Sequence, residues 1–330
     1  MPSGRTTQSR RPLLLVAGVL GVVLLLAAPG GALAAAPDIA YPAQSLGDRG
    51  TDVRTIQSLL TARGYVVPVD GVYGTTTRDQ VAAWQTASGI APATGVMDAR
   101  SWPELVMLLV PGASGPAVRA VQLELRTKVG ASVVTDGVWG PTTTTAVLWF
   151  QRHVGATPTG TMNTVTWRRL IAHFERPTFD RVALCDYSVG NGPANWGTSA
   201  AINMLEAAAR VEAAAGHGRV AVGDIGFQHG GPIPGHQFHR LGLEIDIRPM
   251  RKARDQCRVG VNYRSSAYDR AATRELVQAI RASSPGHIKL IYFNDPVLIR
   301  EGLTRRYTGH DDHLHVRYCE PGYPDPSFAC

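Results

Sequence analysis

Two short segments in the last third of the chain concentrate residue types that bind metals and transfer protons. The first, GHQFHRLGLEIDI, covers residues 235–247, and the second, HDDHLHVRYC, covers residues 310–319. Three of the ten histidines lie within the six residues that open the second segment. An imidazole and a carboxylate from the first segment, with an imidazole from the second, make a three-ligand set with a fourth position open to water. Nitrogen and oxygen ligands without cysteine favour zinc over other divalent ions.

Both segments have the alternating pattern of β-strands, which places the candidate groups on one face of each strand. Asp246 alternates with the apolar Ile245 and Ile247, so its carboxylate leaves the apolar face. His313 and His315 are two residues apart and therefore point to the same side of their strand. The pattern predicts two strands that present imidazole and carboxylate groups to a shared site.

The chain from residue 175 to residue 330 has the mixed pattern of an α+β domain with a small sheet. Helical periodicity is found at 199–214 and 273–282. Short apolar stretches typical of strands occur at 220–225, 243–247, 288–293 and 313–318. The sheet is therefore expected to carry both histidine-bearing segments.

An internal repeat with an offset of 65 or 66 residues organises the first half of the chain. Each copy has a helical apolar series, an Asp-Gly turn and an aromatic–Gln pair, Trp84–Gln85 in the first copy and Phe150–Gln151 in the second. This pattern predicts two small modules of three short helices, at 45–106 and 109–172, ahead of the α+β domain at 175–330.

Residues 1–34 have the pattern of an export signal, with residues 35–44 as a linker. Three arginines precede an apolar run of about 16 residues, and Ala32-Leu33-Ala34 offers a cleavage site. The run is shorter than the roughly 20 residues that span a bilayer, which favours cleavage over an uncleaved membrane anchor. The mature chain is expected to be secreted, in the cell wall or periplasm, with no membrane contact after cleavage.

Composition and cysteine usage fit this location. Without the signal, 30 basic and 26 acidic residues remain, a mildly basic balance that suits an anionic cell wall and gives little support to nucleic-acid binding. The four cysteines lie after residue 180 and, in an oxidising compartment, predict two disulfides with three possible pairings. None has the spacing of a zinc ribbon or redox centre. No pattern indicates the oligomeric state.

The repeats resemble the type 1 peptidoglycan-binding repeat. The resemblance rests on a Gly-x-x-Gly before the first helix, an Asp-Gly-x-Tyr/Trp-Gly motif and the aromatic–Gln pair, over 46–105 and 109–170. It implies that peptidoglycan is both anchor and partner. Most of the glycines and aromatics are expected to build the modules, whereas Tyr73 and Trp139, beside the turns, are the candidates for contact with a sugar or stem peptide.

The chain from Cys185 to its end resembles the penicillin-insensitive murein endopeptidase family. His-x6-Asp with a later His-x-His is the signature of the wider group of zinc peptidases that includes lysostaphin, D-alanyl-D-alanine metallopeptidases and hedgehog domains. The matching stretches are Asn195-Trp196-Gly197, residues 222–226, Gly235-His236, His239, Gly242, Asp246-Ile247, Phe293-Asn294, His310, residues 313–317 and Cys319. Phe238 departs from the serine that the family tends to have next to its ligand.

The resemblance implies a role for each candidate residue. The implied zinc ligands are His239, Asp246 and His315. His313 would stabilise the transition state, His310 would act as base or proton shuttle, and His236 would face the substrate or support a ligand. Glu244 is the second candidate for the base, with a purely supporting role weighed equally. The resemblance also implies the disulfides Cys185–Cys257 and Cys319–Cys330.

The function implied is cleavage of D-alanyl–diaminopimelate cross-links between stem peptides of peptidoglycan. A D,D- or L,D-carboxypeptidase that trims stem ends would use the same metal core, and a wall-binding protein with an inactive peptidase domain is the non-enzymatic alternative. The other histidines are expected to be structural, namely His153, His173, His217 and His287. His229, in a glycine-rich loop, is left without a role.

Overall fold

The structure is a computed structural model and describes residues 1, 4, 41–179, 182–188, 194–321, 323 and 325–330. Apart from residues 1 and 4, the predicted signal lies outside the described residues, as does most of the predicted linker. Among the described residues, no helix has the length and apolar character needed to span a membrane.

Each repeat folds into three helices, as its pattern predicts. The first repeat contains α1 (Thr51–Ala62), α2 (Thr75–Ala87) and α3 (Trp102–Leu105). The second contains α4 (Pro116–Lys128), α5 (Pro141–His153) and α6 (Thr164–Ile171). The apolar faces of these helices form one core that both repeats share, because α1 and α4 pack against each other.

Buried glutamines explain why each repeat carries an Asp-Gly turn. The Gln57 Nε2 group donates to Asp70 Oδ1 at 2.9 Å, and Gln57 Oε1 accepts from the Gly71 N–H at 2.9 Å. Gly71 has φ +77°, a conformation that glycine adopts without a steric penalty. Gln122 makes both contacts with the turn of the second copy.

The expectation that Tyr73 and Trp139 face a ligand is wrong. Tyr73 is fully buried and donates its hydroxyl hydrogen to the Gly95 carbonyl at 2.8 Å. Trp139 is also buried, and its indole N–H donates to Thr144 Oγ1 at 2.9 Å. Both rings fill the core of their repeat because their polar groups find partners there.

The C-terminal domain is α+β, as expected. Its elements are β1 (Phe174–Glu175), β2 (Leu184–Asp186), β3 (Gly197–Thr198), α7 (Ser199–Ala214), β4 (Val220–Val222), β5 (Glu244–Ile247), α8 (Arg270–Ser283), β6 (Ile288–Tyr292), α9 (Pro296–Arg300) and β7 (Leu314–Tyr318). The main sheet has the order β2-β4-β5-β7-β6, in which only β2 and β4 run parallel. Helices α7 and α8 pack against each other and share a core with the apolar residues of the sheet.

Two disulfides staple this domain. Cys185, on β2, is bonded to Cys257 in the loop after β5, and Cys319, just after β7, is bonded to Cys330. The pairing is the one that the family resemblance implies.

A buried cluster of charged groups joins the repeats to the C-terminal domain. Lys128, at the end of α4, is fully buried, and its Nζ pairs with Asp52, Glu124 and Glu175. The hydroxyl of Ser199, the first residue of α7, lies within hydrogen-bond distance of both Asp52 and Glu175, at 2.5 and 2.9 Å. Because buried charges are stable only when paired, these contacts hold the three parts together directly.

Candidate active site

The register of β5 and β7 places Asp246 and His315, two of the three implied zinc ligands, next to each other. The strands are antiparallel, with Asp246 opposite His315 and Glu244 opposite Arg317. Residues directly opposite on neighbouring strands project from the same face of the sheet. Ile245 and Ile247 on β5 and Leu314 and Val316 on β7 project into the core, so the polar residues share the other face.

His239 lies in the loop before β5 in an unusual backbone conformation. Its φ is +68°, in the left-handed region that side chains other than glycine adopt at a cost of about 1–3 kcal/mol. The His239 N–H donates to Glu244 Oε2 at 2.6 Å, which offsets part of that cost. In this backbone conformation the His239 ring lies toward Asp246, with Nε2 3.3 Å from Asp246 Oδ1.

The contacts of the two imidazoles fix which ring nitrogens carry hydrogen. His239 Nδ1 lies 3.2 Å from the Ile225 carbonyl oxygen and donates to it. His315 Nε2 lies 3.2 Å from Glu244 Oε1 and donates in the same way. The opposite nitrogens, His239 Nε2 and His315 Nδ1, both face Asp246 Oδ1. Once neither ring carries a proton on that side, these two nitrogens and the carboxylate oxygen are three lone-pair donors that a metal ion can bind.

This donor set fits zinc. A tetrahedral zinc with bonds of about 2.0–2.1 Å holds its ligand atoms about 3.3 Å apart. Asp246 Oδ1 is 3.3 Å from His239 Nε2 and 3.0 Å from His315 Nδ1. Two imidazoles, each hydrogen-bonded on the far side of its ring, and one carboxylate are ligands that zinc sites use.

The pKa values of Asp246 and His315 show that positive charge stabilises this site. Burial raises the pKa of Asp246, but the neighbouring His239 and His315 outweigh burial and hold it far below its ordinary value. Burial lowers the pKa of His315, yet hydrogen bonds to Asp246 and Glu244 raise it to about 9. In the metal-free site, a proton on His315 supplies the positive charge that the carboxylates require.

Glu244 is placed behind the ligands, where it orients them. It is buried and accepts from the His239 N–H, from His315 Nε2 and from Arg317 Nε at 2.7 Å. Burial raises its pKa, but the His315 contacts lower it below the ordinary value. With its oxygens engaged by three donors, Glu244 is better placed to support His315 than to act as the base.

His310 and His313 stand beside this centre. Their ring centroids are 4.6 Å apart, and the His310 ring lies 5.6 Å from that of His315. The Nδ1 of His310 lies 3.0 Å from the Thr308 carbonyl oxygen, and the Nδ1 of His313 lies 2.9 Å from Asp312 Oδ1. Burial, together with His313, lowers the pKa of His310 to about 4, which keeps this ring neutral near pH 7.

His236 lies next to His239. Its Nε2 is 3.1 Å from Asp224 Oδ2, and its ring centroid is 5.1 Å from that of His239. Single ligand atoms of His236, His239 and Asp246 also lie within 4.8 Å of one another. The structure thus gathers all six predicted site residues at one place, and their individual roles stay predictions.

Aromatic rings form one wall of the site. Phe238, the departure from the family pattern, lies 5.5 Å from the His315 ring and carries the Arg317 guanidinium over its face at 4.6 Å. Tyr292 and Tyr307 stack on each other at 4.7 Å, and Tyr292 lies 6.0 Å from the His315 ring. Phe238 therefore packs against both His315 and Arg317.

A cleft that the sequence did not predict borders His313. It has a volume of about 350 Å³ and is lined by Arg248, Asp312, His313, Tyr187 and residues 260–262. The Arg248 guanidinium lies over the Tyr187 ring at 4.0 Å. The cleft thus presents one positive and one negative side chain next to the predicted catalytic histidine, a combination that no local motif signals.

A second histidine cluster, also missed, lies outside this site. His153, His173 and His229 come together although 76 residues separate the first from the last. Two of them are expected from the sequence to be structural. Their convergence depends on the packing of the second repeat against the loop after β4, which the sequence does not reveal.

Comparison with protein families identifies both halves of the chain. Residues 49–103 and 114–170 match the putative peptidoglycan binding domain, and residues 191–291 match penicillin-insensitive murein endopeptidase. The second match includes His236, His239 and Asp246 and ends before His310. No curated protein matches the chain.

Two solved structures are similar to parts of the chain. One is a peptidoglycan-binding protein from Clostridioides difficile in complex with glutamine hydroxamate, 29% identical over 20% of this chain and 40% of that one, with a TM-score of 0.19. The other is the Burkholderia AP3 phage endolysin, 26% identical over 33% of this chain and 37% of that one, with a TM-score of 0.20. The chain covers less than half the length of either. From the family matches, the chain carries two peptidoglycan-binding repeats followed by a domain of the penicillin-insensitive murein endopeptidase family.

Proposed function

We propose that this chain is an exported zinc peptidase that cleaves the D-alanyl–diaminopimelate cross-links of peptidoglycan. The family match makes it a peptidase acting on murein. The observation that carries the zinc dependence is the convergence of His239 Nε2 and His315 Nδ1 on one oxygen of Asp246. Location outside the cytoplasm is supported by the two disulfides and by the wall-binding repeats.

The chain's own residues supply proton transfer and charge stabilisation. Bound zinc would polarise the scissile carbonyl and acidify water. His310, neutral and held at Nδ1 by the Thr308 carbonyl, has an Nε2 lone pair that accepts a proton from water and returns it to the leaving amine. His313, held at Nδ1 by Asp312, uses Nε2 to hydrogen-bond the developing oxyanion.

The cleft beside His313 suits the diaminopimelate side of the cross-link. In the cross-link, the stereocentre of diaminopimelate outside the stem backbone has its amine acylated as the scissile amide and keeps a free carboxylate beside that bond. Arg248 offers a positive partner for this carboxylate in a cleft of about 350 Å³. Charge complementarity of this kind orients the substrate before the reaction.

The repeats would bind the wall through an exposed aromatic surface of the second copy. Trp149 on α5 is 45% exposed and lines a cleft of about 580 Å³. The other lining residues are mainly apolar, from residues 129–133 and 141–146. With Tyr73 and Trp139 buried, Trp149 replaces them as the candidate for stacking on the apolar face of a sugar or stem peptide.

Digestion of a purified cross-linked muropeptide dimer tests the proposed reaction, with product masses determined by mass spectrometry. An endopeptidase converts the dimer into two monomers, and a chelator stops the conversion. Loss of only a terminal D-alanine, with the cross-link intact, would identify a carboxypeptidase and reject the endopeptidase proposal. An unchanged dimer would support a wall-binding protein without activity.

A further inference from the structure

Three histidines outside the active site meet at the boundary between the second repeat and the peptidase domain. His153 is the last residue of α5, His173 follows α6, and His229 lies in the loop after β4. One ring nitrogen of each lies within 4.8 Å of those of the other two. Their ring centroids are 4.9 to 6.0 Å apart.

His173 is the member that ordinary packing does not explain. It is 7% exposed, and within the described part of the chain its Nε2 is buried without a hydrogen-bond partner. Leaving such a polar atom unpaired costs about 1–3 kcal/mol. Burial, then the positive charge of Lys128 and the two neighbouring histidines, lowers the pKa of His173 to about 3, so the ring is neutral and its lone pair is available.

Aromatic rings pack against two of the three histidines. Trp149 stacks on the His153 ring at 4.9 Å, and Phe150 packs edge-on against His173 at 5.4 Å. Burial also lowers the pKa of His229. The neutral imidazole is the form in which histidine binds zinc.

We propose that His153, His173 and His229 bind a second zinc ion that clasps the second repeat to the peptidase domain. Three imidazoles with a fourth position for water complete a tetrahedral site. Tetrahedral zinc needs nitrogens about 3.3 Å apart. His153 and His229 are exposed, so rotation of their rings toward the fixed His173 is unhindered by core packing.

The clasp joins parts of the chain that no disulfide links. His153 and His173 belong to the second repeat and its end, whereas His229 belongs to the loop that leads to His236 and His239. Zinc bound here stabilises the folded chain by an amount that rises with the logarithm of the free zinc concentration, since the unfolded chain does not hold the three rings together. The active-site ligands take no part in this second site.

Zinc counting on the full chain tests the second site separately from the first. Protein equilibrated with Zn²⁺ by dialysis is analysed for metal, as wild type, His153→Ala, His239→Ala and the double variant. We expect two zinc ions per chain in the wild type, one in each single variant and none in the double variant. Arg152→Ala, an exposed neighbour of His153, is the control and keeps two.

Thermal unfolding provides a second measurement. Zinc should raise the unfolding midpoint of His239→Ala, and the rise should disappear in the double variant with His153→Ala. A wild type with one zinc that His153→Ala retains would overturn the second site, and so would two zincs retained in His153→Ala. The active-site proposal is judged apart from this, by whether His239→Ala loses one zinc.

Discussion

At the scale of single residues, the site depends on where each hydrogen is placed. The Ile225 carbonyl and Glu244 hold the far sides of His239 and His315, so that the other nitrogen of each ring faces Asp246. The left-handed backbone of His239 is part of the same arrangement. A change that leaves the ligands intact but removes a neighbouring group should therefore separate metal binding from catalysis.

His313→Ala should keep the active-site zinc and lose hydrolysis. His313 acts on the transition state, and removing such a group costs roughly 100-fold or more in rate. The rate on a muropeptide dimer and the zinc content of the same sample measure both effects. His217→Ala, a histidine paired with Glu212 away from the site, is the matched control and should keep its rate. Near-normal turnover of His313→Ala would reject the role.

Glu244→Gln distinguishes an orienting residue from a base. Because Glu244 holds His315 Nε2 and the His239 N–H, its neutral analogue should weaken zinc binding about 10- to 100-fold. At saturating zinc the rate should recover to within a few-fold of the wild type. Zinc titrations of binding and hydrolysis provide the measurement. A large loss of rate that excess zinc does not repair would make Glu244 the base.

For the helices and strands, the sequence correctly predicted the features that depend on local sequence patterns. Helix α7 occupies 199–214 as predicted, because Thr198 caps it by accepting from the Ala201 N–H and apolar residues recur along one face. The strands exist where predicted but are shorter, since their ends bend into the loops that carry the site. Strand alternation predicted that Asp246 and His315 project from the polar faces of their strands, whereas their position opposite each other depends on the register of β5 and β7.

What the sequence did not predict depends on packing between distant elements. Tyr73 and Trp139 carry polar groups that suited a ligand-binding surface, but the fold supplies those groups with internal partners. The meeting of His153 with His229 needs the second repeat to be docked on the peptidase domain. No spacing along the chain encodes that docking.

Trp149 on α5 offers a test of wall binding by the second repeat. Trp149→Ala removes the exposed ring from its cleft and should reduce co-sedimentation with insoluble peptidoglycan about 3- to 10-fold, the equivalent of one stacking contact. Val138→Ala, which removes an exposed apolar side chain outside the cleft, is the control. Equal sedimentation of wild type and Trp149→Ala would show that the repeat binds through another surface.

At the scale of the whole molecule, the buried cluster around Lys128 ties wall binding to catalysis. Asp52, Lys128 and Glu175 come from the two repeats and the peptidase domain, so the three parts share one set of buried polar contacts. A peptidase domain that begins at residue 175 would lack Lys128 and Asp52, the partners that the repeats provide for Glu175 and Ser199. Tests of function are therefore best made on the full chain.

The pH dependence of stability reports on this cluster. Burial raises the pKa of Glu175 from 4.5 to about 8, against the opposing effect of Lys128. Between these values the folded chain holds a proton that the unfolded chain has released, so its free energy of unfolding falls as pH rises from about 4.5 to about 8. Glu175→Gln should reduce this fall by about 1–3 kcal/mol.

Urea unfolding of the wild type and Glu175→Gln at pH 5 and pH 8 measures the difference. Glu104→Gln, an exposed glutamate on α3, should leave the pH dependence unchanged. An identical pH dependence in the wild type and Glu175→Gln would mean that Glu175 is ionised in the folded chain throughout this range.

Zinc held by His239, Asp246 and His315 should be essential for hydrolysis of the cross-link. The decisive experiment strips the full chain with a chelator, removes the chelator, and follows cleavage of the dimer as zinc is returned. We expect no cleavage by the stripped chain, recovery on addition of zinc, and no recovery in a folded His239→Ala chain. Cleavage at the full rate by the stripped chain, or by His239→Ala, would show that zinc at these residues is not needed.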